Sequence, residues 1–210
     1  MKTIRLLLLC MLAGIALTTS AQSYLPQKSA FAIGAGPMWG IVEGNGNYHD
    51  AVGSSTCGSL VMDYRYYSIP NIGLGIAYNH LWGNKDGNKL SCNYVAPTLT
   101  ARWLWADNKQ GFWMTVGAGY FGYKDELRYG GSFNKGYFGG SFSFGYEFAI
   151  GNAVGLQLRA DCIAADFKYN GHRSCCGNYH DNWDSSMSYF SIGAALVFGK
   201  LITQSSQIVK

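Results

Sequence analysis

Apolar residues recur at every second position through most of this chain. From Ser29 to Phe198 the sequence divides into eight such stretches, joined by three short turns and four longer connections. A period of two is that of a β-strand with one apolar and one polar face, and eight strands suffice to close a barrel. Glycine (28 residues) and aromatic side chains (15%) accompany only four prolines, which also favours an all-β chain. We therefore predict an all-β fold, an eight-stranded antiparallel up-and-down barrel, over residues 22–198.

The chain begins with a segment typical of exported proteins. Lys2 and Arg5 precede or border an apolar run from Leu6 to Leu17, and small residues lead to Ala21. This pattern predicts a signal peptide over residues 1–21. The apolar run is too short for an ordinary transmembrane helix, which needs roughly 20 residues. If the exported chain crosses a membrane, it must do so as a closed barrel, because lipid cannot satisfy the edge of an open sheet.

The charge of the chain is low and nearly balanced. The formal net charge is +4 at pH 7, and it falls to +2 without Lys2 and Arg5. Charged residues make up only 13% of the chain. A nucleic-acid-binding surface needs clustered basic charge, so we expect no nucleic acid partner.

The two faces of the predicted strands differ in a way that favours lipid on the outside. The apolar faces carry almost no charge along their middles, and their ends are rich in aromatic residues. One predicted rim contains Tyr64, Tyr66, Trp103, Trp105, Phe112 and Phe198; the other contains Trp39, Tyr78, Trp82 and Tyr120. Such rims are typical of membrane barrels, whereas a soluble barrel of the lipocalin kind would turn the apolar face inward. We predict a transmembrane barrel in the outer membrane.

The polar faces carry opposite charges in equal number. Three arginines and three acidic residues lie on them: Asp63, Arg65, Arg102, Glu147, Arg159 and Asp161. Buried charges need partners, so this balance predicts an ion-pair network within the lumen. An eight-stranded barrel is just wide enough for its side chains to fill it, and we therefore expect a closed lumen.

The connections alternate between short and long. The short ones are predicted at 68–70, 106–111 and 151–153, and the long ones at 43–55, 83–90, 124–136 and 168–186. Membrane barrels place short turns in the periplasm and long loops outside, so both termini are expected in the periplasm, with residues 199–210 forming a periplasmic tail. Pro97 cannot donate a hydrogen bond to a ladder, and we expect a β-bulge there.

Four of the five cysteines of the mature chain are expected at the outer mouth of the barrel. Cys57 and Cys92 would face inward there, while Cys175 and Cys176 lie in the longest loop. In an exported protein this arrangement predicts two disulfides that tie the loop to the barrel wall, with the connectivity left open. Cys162 is predicted on the lipid face, as a small apolar residue.

Two patterns offer sharper chemistry. His172, Cys175, Cys176 and His180 could hold zinc or copper, but their spacing matches no standard zinc site and disulfides would consume the thiolates. We predict no metal and no cofactor. If β3 and β4 pair around residues 85–86, His80 and Ser91 become cross-strand neighbours, a minimal base and nucleophile for ester hydrolysis.

The stretch from residue 29 to 198 resembles the eight-stranded outer-membrane barrels of the OmpA/OmpX and opacity-protein type. Residues 191–198 resemble the family's C-terminal assembly signal, whose marker positions would be Ser191, Gly193, Leu196 and Phe198. The resemblance implies recognition by the barrel-assembly machinery, although twelve residues follow Phe198 here. Members of this type serve as structural anchors, adhesins or evasion factors, and a few modify lipids.

The functional expectation is a monomeric barrel embedded in outer-membrane lipid, with a structural or adhesin-like role and no catalysis. Loop residues such as Tyr48, Tyr129, Tyr169 and Trp183 would offer contact surface for a ligand. The alternative is a lipid A-modifying hydrolase of the outer leaflet.

Overall fold

The chain forms a closed barrel of antiparallel strands. The computed structural model describes residues 27–43, 57–69, 71–85, 87–105, 110–126, 132–150, 154–172 and 180–201. These residues form β1 (Gln27–Glu43), β2 (Gly58–Ile69), β3 (Ile72–Lys85), β4 (Asn88–Trp105), β5 (Gln110–Glu126), β6 (Ser132–Ala149), β7 (Val154–His172) and β8 (His180–Leu201). Each strand pairs with its neighbours in sequence, and β1 closes on β8. The predicted eight-stranded up-and-down barrel is confirmed.

The register of the strands fixes the dimensions of the barrel. A row of paired residues that starts at Ser29 passes once around the barrel and returns to β1 at Trp39, ten positions further along. A shear of this size in an eight-stranded barrel tilts the strands by roughly 40° from the axis. One residue therefore advances roughly 2.5 Å along the axis.

Inward and outward side chains alternate as the period of two predicts. On β1, Ala32 is 1% exposed while its neighbour Phe31 is 40% exposed. On β5, Trp113 is buried and Val116 is half exposed. The apolar face of each strand points outward and the face with the charges points inward, which is the arrangement of a barrel in lipid.

The two ends of the barrel differ in their connections. We call the end with the connections at 70–71, 106–109 and 150–153 the turn end, and the opposite end the loop end. At the loop end the strands run further than the hydrophobic pattern predicts. The expected loop at 83–90 is wrong: β3 and β4 stay paired up to Lys85 and Asn88, and Gly87, with a φ of 88°, turns the chain. Beyond the lipid the outer face becomes polar, so the hydrophobic period fades while the hydrogen-bonded ladder continues.

Pro97 does not produce the expected bulge. The register between β4 and β5 is the same on both sides of it, since Val95 pairs with Tyr120 and Thr98 with Gly117. The β4–β5 ladder only skips two positions, because proline lacks the N–H that a bond there would require.

At the C-terminal end, β8 continues past Phe198, and Leu201 still pairs with Gln27. The first part of the expected tail therefore belongs to the barrel wall. Residues 1–26 and 202–210 lie outside the described residues, so the signal peptide and the rest of the tail stay predictions. None of the described residues forms a helix that is long and apolar enough to cross a membrane.

Candidate functional sites in the lumen and at the loop-end rim

Charged side chains join β7 to β2 across the turn-end half of the lumen. Arg159 bonds Asp63 through Nη1 at 2.7 Å and its strand neighbour Asp161 through Nη2 at 2.6 Å. Asp63 also pairs with Arg65, with 2.7 Å between Oδ1 and Nε. All four residues are at most 5% exposed. The structure thus brings four of the six predicted network residues into direct contact.

The other two predicted network residues use different partners. The guanidinium of Arg102 lies 3.5 Å from the ring centroid of Tyr67, and Glu147 accepts a hydrogen bond from Gln157. Both contacts are buried and lie in the same half of the lumen.

Trp113 is the organising aromatic residue of this half, and sequence reasoning missed its role. The guanidinium carbons of Arg65 and Arg159 lie 4.2 Å and 5.3 Å from its ring centroid, which are cation–π distances. Gly145 makes room for it, because a Cβ on Gly145 would fall 2.9 Å from Trp113 Cζ2 and 2.2 Å from the Leu158 carbonyl oxygen. The sequence did contain a signal for this role, namely an inward tryptophan that pairs with a glycine on the next strand.

The loop-end half of the lumen is filled by apolar and aromatic side chains. Phe121 stacks on Tyr189 with 5.7 Å between centroids and lies 6.5 Å from Tyr94. We call this cluster the aromatic plug. Its buried members are Met38, Leu81, Leu90, Cys92, Tyr94, Ala96, Phe121, Tyr123, Ile163, Ala165, Met187 and Tyr189. The charged side chains thus fill the turn-end half of the described lumen, and the aromatic plug fills the loop-end half.

Two of the predicted disulfide cysteines lie beside this plug. Cys92 is fully buried and its Sγ lies 3.7 Å from the Tyr189 hydroxyl, while Cys57 packs against the plug from the start of β2. Strand β3 separates them, so their Cα atoms are roughly 10 Å apart, too far for a bond to each other. No disulfide joins cysteines within the described residues. Cys175 and Cys176 lie outside them, so the bridges to the loop stay a prediction.

The outer surface of the barrel is an apolar band between two aromatic rims. At the turn end Trp103 lies 6.0 Å from Phe112, and at the loop end Trp39 lies 6.2 Å from Phe190. Between the rims, large apolar side chains such as Leu74, Leu99 and Ile192 are 63%, 48% and 50% exposed. Trp39 lies ten residues above Ser29 on β1, which corresponds to roughly 25 Å along the axis and matches the hydrocarbon height of membrane barrels. This surface requires lipid.

Polar side chains interrupt the band close to the loop-end rim. On β3 and β4 the Asn93 Oδ1 accepts hydrogen bonds from the Tyr78 hydroxyl at 2.8 Å and from His80 Nδ1 at 2.9 Å. The predicted pairing of His80 with Ser91 is wrong by two residues. His80 stands opposite Asn93, and Ser91 stands opposite Trp82, because the turn is centred on residues 86–87 rather than 85–86.

The proposed metal ligands cannot be assembled from the described residues. His172 and His180 form the last pair of the β7–β8 ladder, while Cys175 and Cys176 lie outside the described part. Among the described residues no group of three His, Cys, Asp or Glu side chains could hold a metal ion.

The four residues of the predicted assembly signal all lie on β8. Ser191 is buried and lies with Gly193 on the inward face of the strand. Leu196 and Phe198 lie on the outer face and are 43% and 41% exposed.

Neither a protein-family model nor a curated protein sequence matches the chain. Solved structures do. The Neisserial surface protein A superposes with a TM-score of 0.53 at 13% identity, over 82% of this chain and 97% of that one. OprG from Pseudomonas aeruginosa gives a TM-score of 0.55 at 10% identity, over 85% and 100%. Ail of Yersinia pestis gives 0.49 at 13% identity, over 83% and 100%.

The class of protein follows from the closed eight-stranded barrel, its apolar outer band and its buried charges. It is a small outer-membrane β-barrel. The likeness to the solved barrels, at this level of identity, concerns the fold, and the outer membrane is the location that this fold and surface define.

Proposed function

We propose that this barrel is a surface-exposed anchor that presents its loops for attachment, with the turn end in the periplasm and without catalysis. The observation that carries the proposal is the height of the β7–β8 hairpin. Beyond the pair Cys162–Phe190, which belongs to the same row as Trp39 of the rim, the ladder continues for ten pairs to His172–His180. This corresponds to roughly 25 Å of axial height.

On the opposite wall, the described part of β2 ends much lower at the loop end. Strand β2 begins at Gly58, which pairs with Trp82 of the rim. The described strands therefore end at different heights: the β7–β8 hairpin extends furthest, and the β5–β6 hairpin, whose ladder ends at Glu126–Ser132, extends less far. A hydrogen-bonded ladder of this length orders the backbone of the hairpin up to the His172–His180 pair, which lowers the entropic cost of binding a partner.

A packed lumen also favours attachment over transport. Arg159, Asp63 and Trp113 occupy the turn-end half, and the aromatic plug occupies the loop-end half. A conducting pore needs a continuous water-filled path, and an eight-stranded barrel filled in this way offers none through its described residues.

The test removes the hairpin tip and keeps the barrel. Deletion of residues 172–184 should abolish attachment of an expressing, otherwise non-adherent strain to epithelial monolayers, while the protein still shifts on gels after heating. Deletion of residues 127–131, the connection between β5 and β6, is the matched control and should leave attachment largely intact. Attachment unchanged by the first deletion would contradict the proposal.

A further inference from the structure

Three polar side chains face lipid where the surrounding wall is apolar. Tyr78 and His80 lie on the outer face of β3, roughly 10 Å and 5 Å below Trp82, Asn93 lies opposite His80, and each of the three is half-buried. At a comparable height on other strands the outer face carries Trp39 and Phe190. Polar groups turned toward hydrocarbon are costly unless they are hydrogen-bonded, so this cluster needs an explanation.

The hydrogen bonds within the cluster satisfy only part of it. Asn93 Oδ1 accepts from Tyr78 and from His80, and so both of its lone pairs are used. Because Nδ1 of His80 bonds Asn93, Nε2 is the ring nitrogen left for a ligand. The two amide hydrogens of Asn93 and Nε2 of His80 have no partner among the described residues. A ligand with hydrogen-bond acceptors and a hydroxyl group would complement these atoms.

Aromatic rings border the cluster on both sides, and its three side chains stay partly exposed between them. Trp82 stacks on His80 with 5.7 Å between centroids, and its ring lies over Gly58 of β2, where a Cβ would fall 2.5 Å from Cζ2. The indole therefore leans away from β4. On the other side Asn93 pairs with Gly122, which has no side chain. The ring of Tyr120, which is 60% exposed, lies over Gly122, where a Cβ would fall 3.2 Å from Tyr120 Cε1, and it borders the cluster on the side of β5.

Positive charge stands above this surface, outside the membrane band. Lys89 and Lys124 are exposed on β4 and β5, and Lys124 pairs with Glu126 at 2.6 Å. The hydrogen bond and the charge of Lys124 lower the pKa of Glu126, so this carboxylate is ionised at neutral pH. Among the described side chains at this edge, two lysines and one glutamate leave one net positive charge, which favours an anionic headgroup.

We propose that Tyr78, His80 and Asn93 form a binding site for a phosphorylated, acylated sugar lipid of the outer leaflet. An ester carbonyl accepts from the Asn93 amide, a sugar hydroxyl donates to His80 Nε2, and a phosphate lies near Lys89 and Lys124. The proposal rests on the loop end facing the outer leaflet, as proposed above, but not on attachment through the β7–β8 hairpin.

The experiment compares three lipids on the full-length mature protein by native mass spectrometry from detergent micelles. The probes are bis-phosphorylated lipid A, phosphatidylglycerol and phosphatidylcholine. We expect the protein to retain one lipid A molecule and to hold either phospholipid at least roughly tenfold more weakly. Asn93→Asp keeps the shape but replaces the two donors by a negative charge, and it should reduce lipid A retention by roughly tenfold or more.

Two further variants make the result decisive. The double variant His80→Leu/Asn93→Leu suits a lipid-facing surface, so it should fold and shift on heating while losing lipid A retention. Ser188→Ala changes a half-buried polar residue on β8, away from the cluster, and should retain lipid A like the parent protein. Equal retention by the parent and by Asn93→Asp, or equal retention of lipid A and phosphatidylglycerol by the parent, would overturn the proposal. Deletion of residues 172–184 should leave retention unchanged, which separates this result from the attachment test.

Discussion

The two halves of the lumen are filled by opposite chemistry. The turn-end half packs charged groups around Trp113, with Arg159 as the link across the barrel. The loop-end half packs apolar and aromatic groups around Phe121. Both halves are close-packed, so the difference does not come from a need to fill space.

What lies outside the wall accounts for the part of the plug above the rim; Phe121, level with the lipid-facing Phe138, belongs to the part beside the lipid, where both faces are apolar. On β5, Val116 faces lipid and Thr115 faces the lumen, whereas further along the same strand Lys124 faces outward and Tyr123 is buried. Beside hydrocarbon the polar face must turn inward. Above the rim, water solvates the outer face, and the apolar face becomes the inner one, as in a soluble protein. A single strand therefore exchanges the polarity of its two faces at the membrane surface.

Removing the cross-lumen arginine should give the largest effect. Arg159→Leu leaves Asp161 without its ion-pair partner and deprives Asp63 of one of two, in a site with almost no access to water. We expect the free energy of unfolding to fall by about 3–5 kcal/mol, since breaking a buried pair strands a charge. Urea unfolding in lipid vesicles, followed by tryptophan fluorescence, measures this change.

A double variant tests whether charge balance is the cause. Arg159→Leu/Asp161→Asn removes one charge of each sign and leaves the pair of Asp63 with Arg65 in place. It should be more stable than Arg159→Leu alone by about 1–3 kcal/mol. A double variant no more stable than the single one would mean that packing, rather than charge, dominates this half of the lumen.

A substitution in the aromatic plug should lower the free energy of unfolding less than the loss of Arg159 does, and its effect should not depend on charge. Phe121→Leu removes part of a fully buried ring and its stacking on Tyr189, at an expected cost of about 1–2 kcal/mol in the same unfolding assay. Phe138→Leu is the matched control, because Phe138 is 74% exposed on the lipid side at a similar height. Its expected cost is below about 0.5 kcal/mol. Equal costs for the two variants would contradict a close-packed plug.

Sequence alone predicts the part of this fold that lies beside hydrocarbon. There the period of two assigns Leu99 to the lipid and Thr100 to the lumen, and the structure has them so. Above the rim the same reasoning fails, because the hydrophobic period that marks a strand is lost while pairing continues. The β3–β4 turn was misplaced for this reason, and the misplacement shifted the partner of His80 from Asn93 to Ser91.

The sites show a similar division. Six charged residues on inward faces could be identified from their number and balance, but their partners could not. Which carboxylate Arg159 reaches depends on the shear of the barrel, which brings β7 opposite β2 across the lumen. The contact of Trp113 with the guanidiniums of Arg65 and Arg159 depends in addition on the space beside Gly145. Neither the shear of the barrel nor the space beside Gly145 can be deduced from the residue pattern of a single strand.

The smallest expected effect concerns the alternative hypothesis, in which His80 and Ser91 at the loop-end rim catalyse the hydrolysis of a lipid ester. A serine nucleophile must lie within hydrogen-bond reach of its base, yet Ser91 stands opposite Trp82, diagonal to His80 rather than directly across from it. We therefore expect Ser91→Ala to leave the number of acyl chains on outer-membrane lipids unchanged, as measured by mass spectrometry of extracted lipid. A deacylated species that appears with the parent protein and vanishes with Ser91→Ala would establish catalysis. It would also mean that substrate binding brings Ser91 and His80 together, with Asn93 as the residue that orients the histidine ring.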